Sequence, residues 1–182
     1  MKSALIVIDV QQSFEHRPYW QPEGVAGFVS RLQQLIDRAR AGGVPVLQVF
    51  HEEGTGVFSR ASGFVKALEA LRIEPTEVFH KSVHSSLFAR STSGKSLETW
   101  LRENGIEHVI VTGIRTEQCC ETTARHASDS GFKVTYALDA TLTFPMVAKS
   151  GRTYSPAEIM ERTELVLQDR FAKVVSAEAV AV

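Results

Sequence analysis

Ser3-Ala4-Leu5-Ile6-Val7-Ile8-Asp9 is a continuous apolar run of strand length that stops on an acid. It shows no alternation of polar and apolar residues, so it reads as a strand covered on both faces, as in parallel sheets flanked by helices. Two other short apolar runs give out at a reactive residue. Lys81 follows Glu77-Val78-Phe79-His80, and Cys119 lies just past His108-Val109-Ile110-Val111-Thr112-Gly113, in the first turn of a predicted helix. An acid, a cation and a thiol at corresponding ends of parallel strands would meet in one crevice, where open α/β sheets bind ligands. That is the arrangement expected of a thiol-dependent hydrolase.

Outward from residues 3–9 the pattern alternates strand with helix. Phe28, Leu32, Leu35, Ile36 and Ala39 fall at helical spacing over 25–41 and are stopped by Gly42-Gly43. Further strands are predicted at 44–50, 76–80, 107–112, 132–138 and 172–176. Helices are predicted at 64–71 (short), 95–104, 116–130 and from Ser155-Pro156 to about 170, the last opened by a capping box with Glu158. Residues 51–63, polar and glycine-containing, read as a loop over the site. Strands joined by helices imply a parallel sheet with right-handed crossovers, and no repeat or linker divides the chain. The expectation is one α/β domain over 1–182.

The 182-residue chain is 43% hydrophobic and 23% charged, with a net charge of −1. That balance gives no general attraction for nucleic acid or an anionic membrane. No apolar stretch nears the roughly 20 residues that span a bilayer. The N-terminus reads as a first strand and not a signal peptide. The two adjacent cysteines cannot close a long structural disulfide with each other, so a reducing, cytoplasmic setting is expected. No GxGxxG, GxxxxGK[ST] or GxSxG occurs, which removes dinucleotide, P-loop and serine-hydrolase readings.

With Thr116 as N-cap, Cys119 would occupy the third helical position. There the helix dipole and unpaired N–H groups favour a thiolate and can hold an oxyanion. Cys120, turned about 100° around the axis, aligns with Ala124, Ala127 and Gly131 and reads as core. Taken singly, each of the three residues has an ordinary reading. Cys119 would be a buried small hydrophobe, Asp9 a cap on the following turn and Lys81 a solvated loop residue. Their shared edge of the sheet changes this. Lys81 beside the thiol would favour thiolate, and Asp9 could take its proton and pass it to a leaving amine. Phe14, Trp20, Phe58 and Phe64 are candidates for an apolar pocket. His80-x-x-x-His84 has zinc-like spacing only on a helix, whereas this segment runs from strand to loop, so no metal and no cofactor are expected.

Three stretches in order resemble the isochorismatase-like cysteine hydrolases: Ala4–Phe14 around Asp9, Lys81–Ser86, and Gly113–Arg125 around Cys119, with Asp139-Ala140-Thr141 also fitting. The resemblance implies a three-layer α/β/α Rossmann-like fold with a six-stranded, mainly parallel sheet in order 3-2-1-4-5-6. It also implies a triad of Asp9, Lys81 and Cys119, small amide or urea-like substrates, and a homo-oligomer, dimer or tetramer. A cis peptide at Ile114–Arg115 would aim N–H groups of the Ile114, Arg115, Thr116 and Gln118 region at the oxyanion. Arg115 stands where the family often has a small residue, so it joins Phe14, Trp20, His51 and His84 as a candidate for the substrate pocket. The metal-binding histidine pattern of nicotinamidase relatives is missing after the first strand, with Gln11 in its place. Retention of Cys119 favours covalent C–N hydrolysis over vinyl-ether cleavage with Asp9 as the acid. The non-enzymatic alternative is a binding or redox-sensing protein using Cys119 and Cys120.

Overall fold

The first strand, β1 (Ser3–Ile8), pairs in parallel with β2 (Val46–His51) on one side and β4 (His108–Ile114) on the other. Every residue of β1 from Ala4 to Ile8 is fully buried, as its unbroken apolar run requires. Strand β3 (Glu77–Lys81) adds outside β2, while β5 (Lys133–Leu142) and then β8 (Lys173–Val175) add outside β4. The computed structural model describes residues 1–182. Its sheet order is 3-2-1-4-5-8, all neighbours parallel. The last sheet strand is eighth in the chain because a two-stranded hairpin, β6 (Met146–Val147) with β7 (Thr153–Tyr154), precedes it. The expected topology therefore holds, and the chain has an α/β three-layer fold.

Side chains alternate along β1. Ala4, Ile6 and Ile8 pack toward α2 (Leu97–Glu103), α3 (Glu121–Asp129) and α4 (Pro156–Leu167), while Leu5 and Val7 pack toward α1 (Val25–Ala41). The five residues that predict α1 are all buried against the sheet. The helix ends at Gly42, with Gly43 in the left-handed region at φ 71°. The capping box of α4 is formed as the sequence predicts. Backbone and side-chain hydrogen bonds from Ser155, with Arg152 beside it, hold the Glu158 carboxyl down at about 2. No helix is long and apolar enough to cross a membrane.

Three expectations are corrected. Residues 64–71 form no helix. Their apolar residues lie along the 10–13 stretch, where Gln12 N donates to Lys66 O, Ser13 N to Phe64 O and Leu68 N to Val10 O. Backbone pairing across the chain thus outcompetes a short local helix. Predicted helix 116–130 is divided: Thr116–Cys120 is a π-helical turn and α3 begins at Glu121. Strand β5 continues four residues past the predicted end because Gly113 and Ile114 pair with Thr141 and Leu142, beyond a bulge.

One rim of the sheet is paired at a single residue and the other is short. On β3, His80 and Arg90 exchange both backbone hydrogen bonds at 2.8 Å, and β8 is only three residues long. Helices α3 and α4 are stapled by Glu121, which is 5% exposed. Its carboxylate accepts from Arg125 at 3.0 Å, from Thr163 Oγ1 at 3.1 Å and from Arg162. Glu121→Ala should lower stability by about 1–2 kcal/mol, because the half-exposed arginines can turn to water while the Thr163 hydroxyl cannot. Denaturant unfolding checks this; an unchanged midpoint would mean that the staple adds nothing.

Candidate active site

Asp9 follows Ile8 directly, at the carboxyl end of β1, with φ 53°. Its N–H donates to Val49 O at 2.9 Å. Lys81 is the last residue of β3, paired in register with His51 at the end of β2. Cys119 lies in the turn that leaves β4. The three side chains expected to converge do so: Lys81 Nζ is 2.7 Å from Asp9 Oδ2 and 3.4 Å from Cys119 Sγ. A third neighbour is His51 Nδ1, 3.3 Å from the same nitrogen. An ammonium has three donors and no acceptor, so Asp9, Cys119 and His51 together use all of them.

The side chains of Asp9 and Lys81 are 0% exposed. Burial alone would lower the lysine, but the carboxylate beside it, and the thiol, keep it above its usual range. The pair is therefore an ammonium and a carboxylate in a dry site. Burial, and then the charge of Lys81, lower the His51 pKa. His51 is thus a neutral imidazole accepting at Nδ1, with its proton on Nε2 facing Glu53, 3.6 Å away. This assigns His51 to orienting Lys81, a more definite place than the pocket wall expected for it.

Cys119 departs from expectation. Its thiol is pushed up to about 12, first by burial and then by the Asp9 carboxylate, against the opposing pull of Lys81. A helix N-terminus was expected to lower it. The turn is π-helical, its cap residue is Arg115 and not Thr116, and Cys119 is its fourth residue. Thr116 Oγ1 instead contacts Thr141 Oγ1 at 2.7 Å, and the buried Tyr136 hydroxyl donates to Thr116 O at 2.7 Å. Gln118 also differs from expectation, since its N–H and that of Cys120 both donate to Arg115 O at 3.2 Å. One buried atom of the cluster, Asp9 Oδ1, has no hydrogen-bond partner. A neutral thiol beside an unsatisfied carboxylate oxygen can pass its proton across when an electrophile arrives. Cys120 is fully buried with Ala124 and Ala127, in the core as the sequence predicts.

The Isochorismatase domain profile matches residues 3–179. The chain belongs to the isochorismatase family of hydrolases. It is similar to an isochorismatase family protein of Bacillus subtilis, 27% identical over 97% of this chain and 93% of that one. Nicotinamidase 3 of Arabidopsis thaliana is 28% identical, covering 78% of this chain and 74% of its own. Among solved structures, an isochorismatase of Pseudomonas putida is 26% identical, covering 98% of this chain and 90% of its own, with a TM-score of 0.80.

Gln11 of this isochorismatase-family chain joins β1 to β2. Its amide donates to Ser13 Oγ at 2.9 Å and to His51 O at 3.0 Å and accepts from His51 N at 2.8 Å. With Gln11 committed to these bonds and His51 Nδ1 to Lys81, the donors here do not suit a metal. No group of three His, Cys, Asp or Glu side chains converges elsewhere.

The four residues of the expected aromatic pocket fall into three groups. Phe14 meets Phe58 edge-on at 5.1 Å, beside His51, while Phe64 stacks on His16. Trp20 lies against Phe144 at 5.3 Å on the β5 side, with Tyr19 next to it. His84 is exposed, and its charge is the smallest of the effects acting on His51. Asp139 holds the chain after β8, accepting from Ala177 N at 2.5 Å. Sequence reasoning missed Tyr19, Glu117 and Phe144, which surround Arg115, and Thr143, which holds Glu117. None carries a local signal, because the β5 loop that brings two of them in is placed by the bulge. A surface cavity of 650 Å³ opens at Glu117, between the hairpin and α4, and none of Asp9, Lys81 and Cys119 lines it.

Proposed function

We propose that the protein is a cysteine amidohydrolase that cleaves a C–N bond in a small amide-like substrate through a thioester on Cys119. The observation that carries this reading is the contact of one buried ammonium, Lys81, with both the Asp9 carboxylate and the Cys119 sulfur. The nicotinamidase relative supports amide chemistry.

With the thiol near 12, the resting enzyme carries S–H beside an ionised Asp9. As sulfur attacks the substrate carbonyl, its proton moves to Asp9 Oδ1, the oxygen without a partner. The S–C bond forms and charge gathers on the carbonyl oxygen. Because the N–H groups of Gln118 and Cys120 are engaged by Arg115 O, the oxyanion is assigned to the Cys119 N–H. Asp9 then gives its proton to the departing nitrogen as the C–N bond breaks. Water, deprotonated by Asp9, attacks the thioester; the acid leaves and the proton returns to sulfur. Lys81 stays charged throughout and offsets whichever of Asp9 and Cys119 is anionic. General acid–base transfer of this kind contributes about 10²–10⁴ in rate.

Quenching the enzyme in acid during amide turnover should reveal an acyl adduct on the Cys119 peptide by mass spectrometry. Cys119→Ala should remain folded, form no adduct and release no ammonia. Full turnover by Cys119→Ala would end the proposal. Vinyl-ether cleavage without any adduct would replace it by a route in which Asp9 is the acid.

A further inference from the structure

The sequence singles out Arg115, and the triad chemistry does not use it. Its side chain is 9% exposed, at the start of the turn that ends on Cys119. The guanidinium lies 4.9 Å from the Tyr19 ring centroid and 5.6 Å from that of Phe144. Those two faces hold the flat cation by its π-surface. The edge of the cation is not held in the same way. Arg115 Nε and Nη2 are buried with no hydrogen-bond partner, and so is Glu117 Oε1. Nη2 stands 3.1 Å from that same Glu117 oxygen, within ion-pair distance but without the alignment of a hydrogen bond. The other Glu117 oxygen accepts from Thr143 Oγ1 at 2.5 Å.

A buried guanidinium is normally matched donor for donor, and an unmatched one is costly. Here the fork of N–H groups that fits a carboxylate in bidentate fashion is buried, with Nε unpartnered and Nη2 met only by the misaligned Glu117 oxygen. Arg115 and Glu117 lie on the β5 side of the turn, where Thr116 and Glu117 are tied to Thr141 and Thr143. Lys81 and His51 occupy its β3 side. A substrate bound at Cys119 thus has a second charged group along the same turn. Glu117 offsets the charge of Arg115 as Asp9 offsets that of Lys81, so a substrate carboxylate takes the fork by competing with the misaligned Glu117 oxygen, while Thr143 keeps the other one.

We infer that Arg115 is the specificity-determining residue of the site, and that the substrate class is a short amide bearing its own carboxylate, held by the Arg115 fork. The inference rests on the amidohydrolase reading.

The test is ammonia release by the purified wild-type protein from malonamate, succinamate and glutaramate. Each is paired with the neutral amide of equal length, propionamide, butyramide or valeramide. At least one carboxylate amide should exceed its neutral counterpart tenfold or more in kcat/KM, mostly through KM. Arg115→Met should bring that ratio near one. Arg115→Lys, which keeps the charge but loses the fork, should leave a reduced ratio in a folded protein, with thermal unfolding of both variants as the check. Equal rates within every wild-type pair would overturn the inference while leaving the amidohydrolase standing, as would a preference that survives Arg115→Met. Turnover of neither class, with no adduct on Cys119, would overturn the amidohydrolase reading and the inference together.

Discussion

Asp9→Asn should make Cys119 easier to alkylate and yet stop turnover. The two effects have opposite signs because Asp9 plays two parts. In the native protein its negative charge is, after burial, the main reason the thiol stands near 12, so the sulfur keeps its proton through neutral pH. Iodoacetamide labelling should accordingly be slow at pH 7 and rise only well above pH 9. Asparagine removes the charge that raises the thiol pKa but leaves Lys81, which lowers it. Lys81 is then free to pair with the thiolate in place of the carboxylate. The labelling profile should move to lower pH, and kcat should fall about 10³-fold or more with the loss of the proton carrier. Lys81→Ala should move the profile the other way, since the one neighbour that lowers the thiol pKa is gone. A profile in Asp9→Asn that is unmoved, or displaced upward, would show that the carboxylate does not act on the sulfur.

Gly113→Ala should disrupt the site from behind. Gly113 pairs with Ile8 in register and has φ 126°, a backbone state that L side chains rarely adopt. An added Cβ would stand 2.0 Å from Ile8 O and 2.7 Å from Ile8 C and N, all backbone atoms that cannot rotate aside. The strands carrying Asp9 and the Cys119 turn would be forced apart. Strain and overpacking together predict a loss of about 2–5 kcal/mol. Any folded fraction should have little turnover, because displacements of about 1 Å can cost 10²-fold. A melting temperature within a degree or two of wild type would mean that the two strands separate without penalty.

The parallel sheet was readable because β1 and β4 carry apolar runs without alternation, β3 carries the shorter Val78-Phe79 pair, and the three ends are marked by Asp9, Gly113 and Lys81. Such residues are legible since their chemistry is unusual where a strand gives out. Segment 64–71 misleads because Phe64, Ala67, Leu68 and Leu71 suit a helix face equally well, and only the nearby 10–13 backbone decides between helix and extended chain. The protonation of Cys119 was not legible either. It depends on how far burial and Asp9 outweigh Lys81, a balance of distances that no spacing encodes. The surroundings of Arg115 come from residues near 19, 117 and 143, joined by the extension of β5 past its bulge and by no local pattern.

The short, partly paired rims of the sheet bear on self-association. An open edge strand presents unpaired N–H and C=O groups on which another chain can add, the usual first step of fibrillar aggregation. In this molecule the β3 rim is already paired at His80 with Arg90, and the β8 rim offers three residues that begin with a charged lysine. Copies of the chain therefore have little backbone to template on. Any stable association between them is left to side chains on the helical faces and the β6–β7 hairpin, where it is governed by shape and can stop at a finite size.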